Sequence, residues 1–175
     1  MKIGITGAQS VGKTTLLNAL RSEKKFRDYA ICDEVTREIK EMGFDINEAG
    51  SDLTQILIMQ KHIVNVFMYD NMLTDRTALD GLVYTTYLNM HKKVSDTTLK
   101  KAKVMYDRII SQYDYLFYIR PEFDIVDDGV RSIDPNFRDE ISEIFEGFIT
   151  ELPREITIVS GSVRERLDQV MKYIK

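Results

Sequence analysis

Gly7-Ala8-Gln9-Ser10-Val11-Gly12-Lys13-Thr14 satisfies every fixed position of the pattern Gly-x-x-x-x-Gly-Lys-Ser/Thr. Each residue type has a chemical reason to be there. Glycine lets the backbone bend until successive N–H groups point inward at a polyphosphate, and a helix starting at the end of the loop adds partial positive charge. Lys13 in such a loop reaches the β- and γ-phosphates, and the Thr14 hydroxyl is a hard oxygen donor suited to Mg²⁺. Gln9, Ser10, Val11 and Thr15 complete the set expected around a bound nucleotide. This chemistry needs a strand before the loop and a helix after it. Lys2-Ile3-Gly4-Ile5-Thr6 reads as the strand, and Thr14 to Leu20 as a helix with Leu16, Leu17 and Leu20 on one face.

A second group of chemistry-bearing residues stands where further strands end. Tyr29-Ala30-Ile31-Cys32 is a strand candidate that runs into Asp33-Glu34, and Arg37 follows one helical turn after Glu34. Asn71 to Arg76 reads as a short strand closing on Asp75-Arg76, with Asp80 a turn further on. In open α/β sheets ligands bind at the carboxyl ends of the strands, so these groups share an edge with the glycine loop. Asp75 is suited to hold a Mg²⁺ shell or to act on an acceptor hydroxyl, and Arg76 to clamp a phosphate or carboxylate with its fork of donors. The plainer alternatives are a helix cap with an exposed ion pair at Glu34–Arg37, and a structural salt bridge at Arg76–Asp80.

The remaining elements form the frame. Asp52 to Asn71 carries Leu53, Ile56, Leu57, Met59, Ile63, Val64, Phe67 and Met68 at helical spacing, which predicts a wide buried apolar face. Gln60 and His62 on that helix are pocket candidates, although a lone His there is commonly structural, and two histidines argue against a His-based metal site. Two helices are expected between Leu79 and Gln112, with Tyr84, Tyr87, Leu88, Met105 and Ile109 buried. Lys92, Lys93, Lys100, Lys101 and Lys103 read as a solvated face. Tyr115-Leu116-Phe117-Tyr118-Ile119 is apolar enough for a strand covered on both sides. The acidic, turn-rich stretch of about 120–138, supplying Arg120, Arg131 and Arg138, reads either as a lid that brings arginines to a transferring phosphoryl group or as a plain surface loop with helix-capping residues. A helix over 135–151 and a strand over 155–159 follow, and Gly161-Ser162 opens the last helix, as a cradle for adenine or simply as a turn.

Composition narrows the function classes. The chain has 175 residues, one cysteine and a net charge of −4. One domain over 1–175 is expected, without an internal disulfide and without a global electrostatic case for nucleic-acid binding. No apolar run approaches membrane-spanning length and the N-terminus opens straight into a strand, so the expectation is a soluble cytoplasmic protein that does not engage membranes.

The order of these parts resembles the small P-loop kinases related to the ribosylnicotinamide kinase domain of NadR and to nucleoside and nucleotide kinases, a group with many bacteriophage members. The likeness rests on the glycine loop, Glu34-x-x-Arg37-Glu38, the helix carrying Gln60, Asp75-Arg76-x-x-x-Asp80, Val126-Asp127-Asp128-Gly129-x-Arg131 and Gly161-Ser162. The resemblance implies an α/β three-layer P-loop NTPase fold, with a parallel five-stranded sheet in the order 2-3-1-4-5, helices on both faces and a small lid. It implies ATP and Mg²⁺, with Thr14 and Asp75 at the metal and Asp33 or Glu34 and Asp75-Arg76 facing the acceptor. Arg76, Arg131 and Arg120 would neutralise the transferring group. The chain leaves no room for the adenylyltransferase domain that NadR carries before its kinase domain, so NAD synthesis is not expected. The acceptor is expected to be a nucleoside or nucleotide bound by a monomer or homodimer, in the host cytoplasm if the chain is phage-encoded. DNA acting through 5-hydroxymethyluracil or a 5′-end is the alternative, and an NTPase switch the second. Lys13→Ala is expected to abolish phosphoryl transfer while leaving the circular dichroism spectrum and melting transition intact; an active variant would overturn the donor assignment.

Overall fold

The computed structural model describes residues 1–124, 134–152 and 155–174. Five short strands, β1 (Lys2–Thr6), β2 (Ala30–Cys32), β3 (Met72–Asp75), β4 (Tyr115–Ile119) and β5 (Thr157–Val159), form one sheet in the order β2-β3-β1-β4-β5. Every pairing is parallel. Parallel neighbours need crossover helices, which bury both faces of the sheet, and the central strands accordingly carry Ile3, Ile5, Leu73, Phe117 and Tyr118 out of contact with solvent. This is the α/β architecture and strand order that the resemblance implies.

The helices are α1 (Lys13–Arg21), α2 (Val35–Glu41), α3 (Asp52–Met68), α4 (Ala78–Met90), α5 (Asp96–Ile109), α6 (Pro135–Glu151) and α7 (Val163–Tyr173). Crossovers between parallel strands are right-handed, so the leftward β1–α1–β2 step puts α1 on one face and the rightward steps put α2 to α6 on the other. Packing agrees with that division: α1 lies against α7, while α3, α4, α5 and α6 contact one another in a second layer. Leu16, Leu17 and Leu20 face inward from α1 as their spacing predicts. Starts are defined by local chemistry. Ser51 accepts from Thr54 N to cap α3, Asp134 precedes Pro135 at α6, and Ser162 and Glu165 form a reciprocal capping box at α7.

Register makes the functional edge. Ile5 is opposite Asp75, Thr6 opposite Tyr118, and Cys32 opposite Thr74. Four chain segments therefore leave the sheet side by side: the glycine loop after Thr6, Asp33-Glu34 after Cys32, Arg76 after Asp75 and Arg120 after Ile119.

One expectation about packing is overturned. The buried face of α3 consists of Thr54, Gln55, Ile58, Met59, His62, Asn65 and Val66, whereas Leu53, Val64, Phe67 and Met68 point outward. Apolar residues occur all round this helix, so periodicity alone does not choose a face. The choice falls to the polar side chains, which wall an internal cavity. Replacing Phe67 with Ser is therefore expected to change unfolding free energy by no more than about 0.5 kcal/mol. Met59→Ala is expected to cost about 2–5 kcal/mol, and urea denaturation separates the two.

Candidate functional site

The phosphate loop takes the backbone shape its glycines allow. Gly7 and Gly12 have φ of 143° and 92°, and a Cβ on Gly7 would meet the Ile119 carbonyl oxygen at 2.5 Å. The Lys13 ammonium folds back onto the loop, donating to the carbonyl oxygens of Gly7, at 2.7 Å, and Ala8. Burial, reinforced by the Arg76 charge, lowers its pKa to about 8. Thr14 donates its hydroxyl to Asp75 Oδ2. Burial pushes the Asp75 carboxyl upward against the opposing pull of Lys13, and its Oδ1 has no hydrogen-bond partner among the described residues.

Beyond Asp75, Arg76 is held in a left-handed backbone conformation, φ 76°, that non-glycine residues rarely adopt. Its N–H donates to Ile5 O at 3.0 Å and its carbonyl accepts from Thr74 Oγ1 at 2.9 Å, which fixes the turn. The guanidinium is buried. Nε donates to Glu34 Oε1 at 2.7 Å, Nη1 lies 3.6 Å from Asp80 Oδ1, and the Tyr84 ring lies beneath it at 4.9 Å. Burial works against this charge, but Glu34, Tyr84 and Asp80 outweigh it and hold the arginine protonated. Glu34 also accepts from Thr36 Oγ1 at 2.8 Å and pairs with Arg37 at 3.4 Å. Asp80 ties the cluster to the loop, accepting from Thr6 Oγ1 at 2.5 Å, Thr77 N at 2.8 Å and Gly7 N at 3.4 Å.

Two concavities flank this cluster. A cleft of about 620 Å³ is lined by Ser10, Gly12, Thr15, Gly161 and Ser162, joined by Phe123, Asp124, Val163 and Arg166. Arg166 braces it: Nη1 donates to Val11 O at 2.7 Å, Nη2 pairs with Glu122 at 3.2 Å, and the guanidinium stacks over Phe123 at 5.2 Å. On the other side a cavity of about 20 Å³ is lined by Gln55, Ile58, His62, Gly81 and Tyr84, with Arg76 and Asp80 in its wall. Tyr84 donates its hydroxyl to Gln9 Oε1 at 2.9 Å, which ties the loop to a residue of this cavity's wall.

A sequence profile described as an AAA domain matches residues 2–166. The chain belongs to the AAA-domain family. Solved structures similar to this AAA domain include a deoxyadenosine kinase from M. mycoides with dCMP and dCDP bound, at a TM-score of 0.76 and 19% identity over 98% of this chain and 97% of that one. The same kinase with bound dATP matches at 0.68 and 17% identity, over 98% of each chain. NadR in complex with NR matches at 0.75 and 18% identity, over 98% of this chain but 50% of that one. Identities at this level establish the shared fold. Among curated proteins, none matches this sequence.

The structure brings some of the expected site residues together and leaves others apart. Asp33 is exposed while Glu34 is buried in the cluster, so the domain turns only the second carboxylate of the pair inward. Gln60 is exposed, and Gln55, one and a half turns earlier, lines the cavity instead. Arg120 is spent on Glu146, through two bonds of 2.7 and 2.8 Å, and Arg138 donates to Phe123 O at 2.8 Å. Arg131 and the Val126–Gly129 motif lie outside the described residues. Tyr84 is buried as its spacing predicts, but neither its place at the site nor that of Arg166 is legible, because an arginine on an amphipathic helix and a tyrosine among apolar neighbours give no local signal. Among the described residues no cluster of three His, Cys, Asp or Glu could hold a metal, and no helix is long and apolar enough to cross a membrane.

His62 is buried so completely that its pKa falls to about 3 from an ordinary 6.5, with Arg76 adding to the effect. The unfolded chain therefore binds more protons than the fold between these values, and stability is lost as pH falls through that window. Thermal melts from pH 7 to pH 4 should show a steeper decline for the wild type than for His62→Phe; parallel declines would contradict the buried neutral imidazole.

Proposed function

We propose that this AAA domain, taken as one unit over 1–175, is an ATP-dependent phosphotransferase that moves the γ-phosphoryl group of ATP to a hydroxyl or phosphate of a nucleoside-type acceptor. The observation that carries the reading is the cluster Glu34–Arg76–Asp80, which connects the phosphate loop to a separate buried cavity. A protein that only hydrolyses or senses a nucleotide needs the loop and its cleft. A phosphotransferase also needs a place for an acceptor against the γ-phosphate, and this small cavity offers a foothold for part of one, because Asp80 and Tyr84 of its wall bond to Gly7 N and Gln9 of the loop. The kinases that share this fold support the same direction.

In this reading adenine occupies the 620 Å³ cleft beside Gly161, Ser162, Phe123 and Arg166, a volume ordinary for a small-molecule site. The polyphosphate follows the loop amides from Gly7 to Thr14, and Lys13 exchanges the Gly7 and Ala8 carbonyls for phosphate oxygens. Thr14 and Asp75 would hold Mg²⁺. The donor set fits, because magnesium takes one or two carboxylates plus substrate oxygens, and Asp75 Oδ1 is buried without a partner among the described residues. Bound there, the ion would supply neutralisation of phosphate charge. Glu34 orients the acceptor hydroxyl and receives its proton, and Arg76, fixed by Glu34 and Asp80, stabilises charge on the transferring group. Arg131 remains a candidate to join them from the lid. Most of the acceleration comes from positioning and electrostatics.

The test is ATP turnover against ribonucleosides, deoxynucleosides, their monophosphates and hydroxymethyluracil-containing DNA, with products identified by mass. One small acceptor gaining a single phosphoryl group is expected, and Glu34→Gln should lower kcat by about 10²–10⁴-fold with the KM for ATP little changed. ADP formation with no phosphorylated acceptor would replace this reading with hydrolysis, and turnover confined to DNA would replace the small acceptor with a polymer.

A further inference from the structure

His62 is among the buried side chains of the described fold whose polar atoms lack a hydrogen-bond partner, and it is the one that lines the cavity beside Arg76 with both of its ring nitrogens unpaired. It is 1% exposed, and neither ring nitrogen has a hydrogen-bond partner among the described residues. Buried polar atoms are nearly always paired, with protein, with ordered water or with a ligand, and these two nitrogens face a cavity that can supply such a partner. The ring lines the 20 Å³ cavity together with Gln55, Ile58, Gly81 and Tyr84. Its Cδ2 edge packs where Gly81 leaves room: a Cβ on Gly81 would stand 3.6 Å from it.

The surroundings define what the imidazole can meet. Burial and the Arg76 charge keep it neutral, so it offers one N–H and one lone pair. Arg76 carries only donors, already directed at Glu34 and Asp80, and cannot accept from the imidazole N–H. Two turns earlier on the same helix face, Gln55 is oriented by Thr85, whose hydroxyl lies 3.1 Å from Gln55 Oε1 and 2.7 Å from the Gly81 carbonyl oxygen. The cavity has room for about one water-sized group, so what reaches His62 is a substituent and not a ring.

We propose that His62 is a specificity-determining residue that hydrogen-bonds an exocyclic amino or hydroxyl group on the base of the acceptor nucleoside. The inference rests on the phosphotransferase reading above and adds to it a chemical class of acceptor. A methyl group of the same size would fill the cavity but leave the imidazole unpaired, and sites built around a hydrogen bond reject analogues that lack it far more strongly than apolar pockets reject a missing methylene.

The experiment compares kcat/KM for matched acceptors with the full chain and ATP: cytidine against uridine, adenosine against purine riboside, and 5-hydroxymethyldeoxyuridine against thymidine. The wild type should favour the amino- or hydroxyl-bearing member of at least one pair by tenfold or more, the pair identifying which group is read. His62→Met should bring that ratio within about threefold of unity, and His62→Gln, whose amide keeps a donor and an acceptor, should retain it. The unliganded His62→Met protein should melt no lower than the wild type, because it buries no orphaned nitrogen. If His62→Met does not yield folded protein, ¹⁵N-histidine-labelled wild type decides: an imidazole nitrogen resonance of His62 should shift with the preferred nucleoside and not with its partner. Phosphorylation of nucleosides with an unchanged ratio, or with no His62 shift, overturns this inference alone. ADP release with neither a nucleoside nor a nucleoside monophosphate phosphorylated overturns the phosphotransferase reading and this inference with it.

Discussion

The buried contact between Arg76 and Glu34, at 2.7 Å, is the interaction on which the site depends. Its partners come from the ends of different strands, and each charge would be costly without the other: breaking such a pair by removing one side typically costs about 3–5 kcal/mol. The pair is enclosed by further charge. Lys13 and Arg76 face Glu34, Asp75 and Asp80, leaving one negative charge in excess when all are ionised. An arrangement of this kind is a poor way to gain stability, since well-packed apolar residues would do as well. It is a good way to fix donors and acceptors before a charged ligand arrives, which is where electrostatic preorganisation has its effect.

Parallel strands make that convergence possible. With Ile5 opposite Asp75 and Cys32 opposite Thr74, the residues that follow β1, β2 and β3 emerge at one edge without any long-range search by the loops themselves. The left-handed backbone at Arg76 then re-aims a side chain that would otherwise continue along the strand. Residues in sparsely populated conformations persist only where surrounding bonds impose them, and here the Ile5 carbonyl and the Thr74 hydroxyl do so.

How much of this is legible in the sequence depends on the range over which each feature is encoded. The phosphate loop is legible because its function is carried by backbone shape, which glycine spacing specifies locally. β4 is legible because five consecutive apolar residues have few other uses, and the strand order follows from the resemblance. The choice between Asp33 and Glu34 is not legible, because it turns on which of two adjacent side chains meets an arginine 42 positions away. The buried face of α3 is not legible either. Its cavity requires Gln55 and His62 inside, and that requirement prevails over the hydrophobic spacing that would have turned Phe67 and Met68 inward. Local pattern fails at the point where side chains serve a site rather than a core.

Arg166 gives the loop a dependence on chain order. The phosphate loop is complete by Thr14, but the side chain that holds Val11 O comes from α7, 155 positions later. A domain made from its N-terminus onward assembles the strand, loop and first helix long before the residue that braces them has been synthesised. Until α7 docks beside α1, the loop lacks that brace. The described geometry of the loop is thus tied to synthesis of α7, which sets folding of the sheet apart in time from completion of the candidate site.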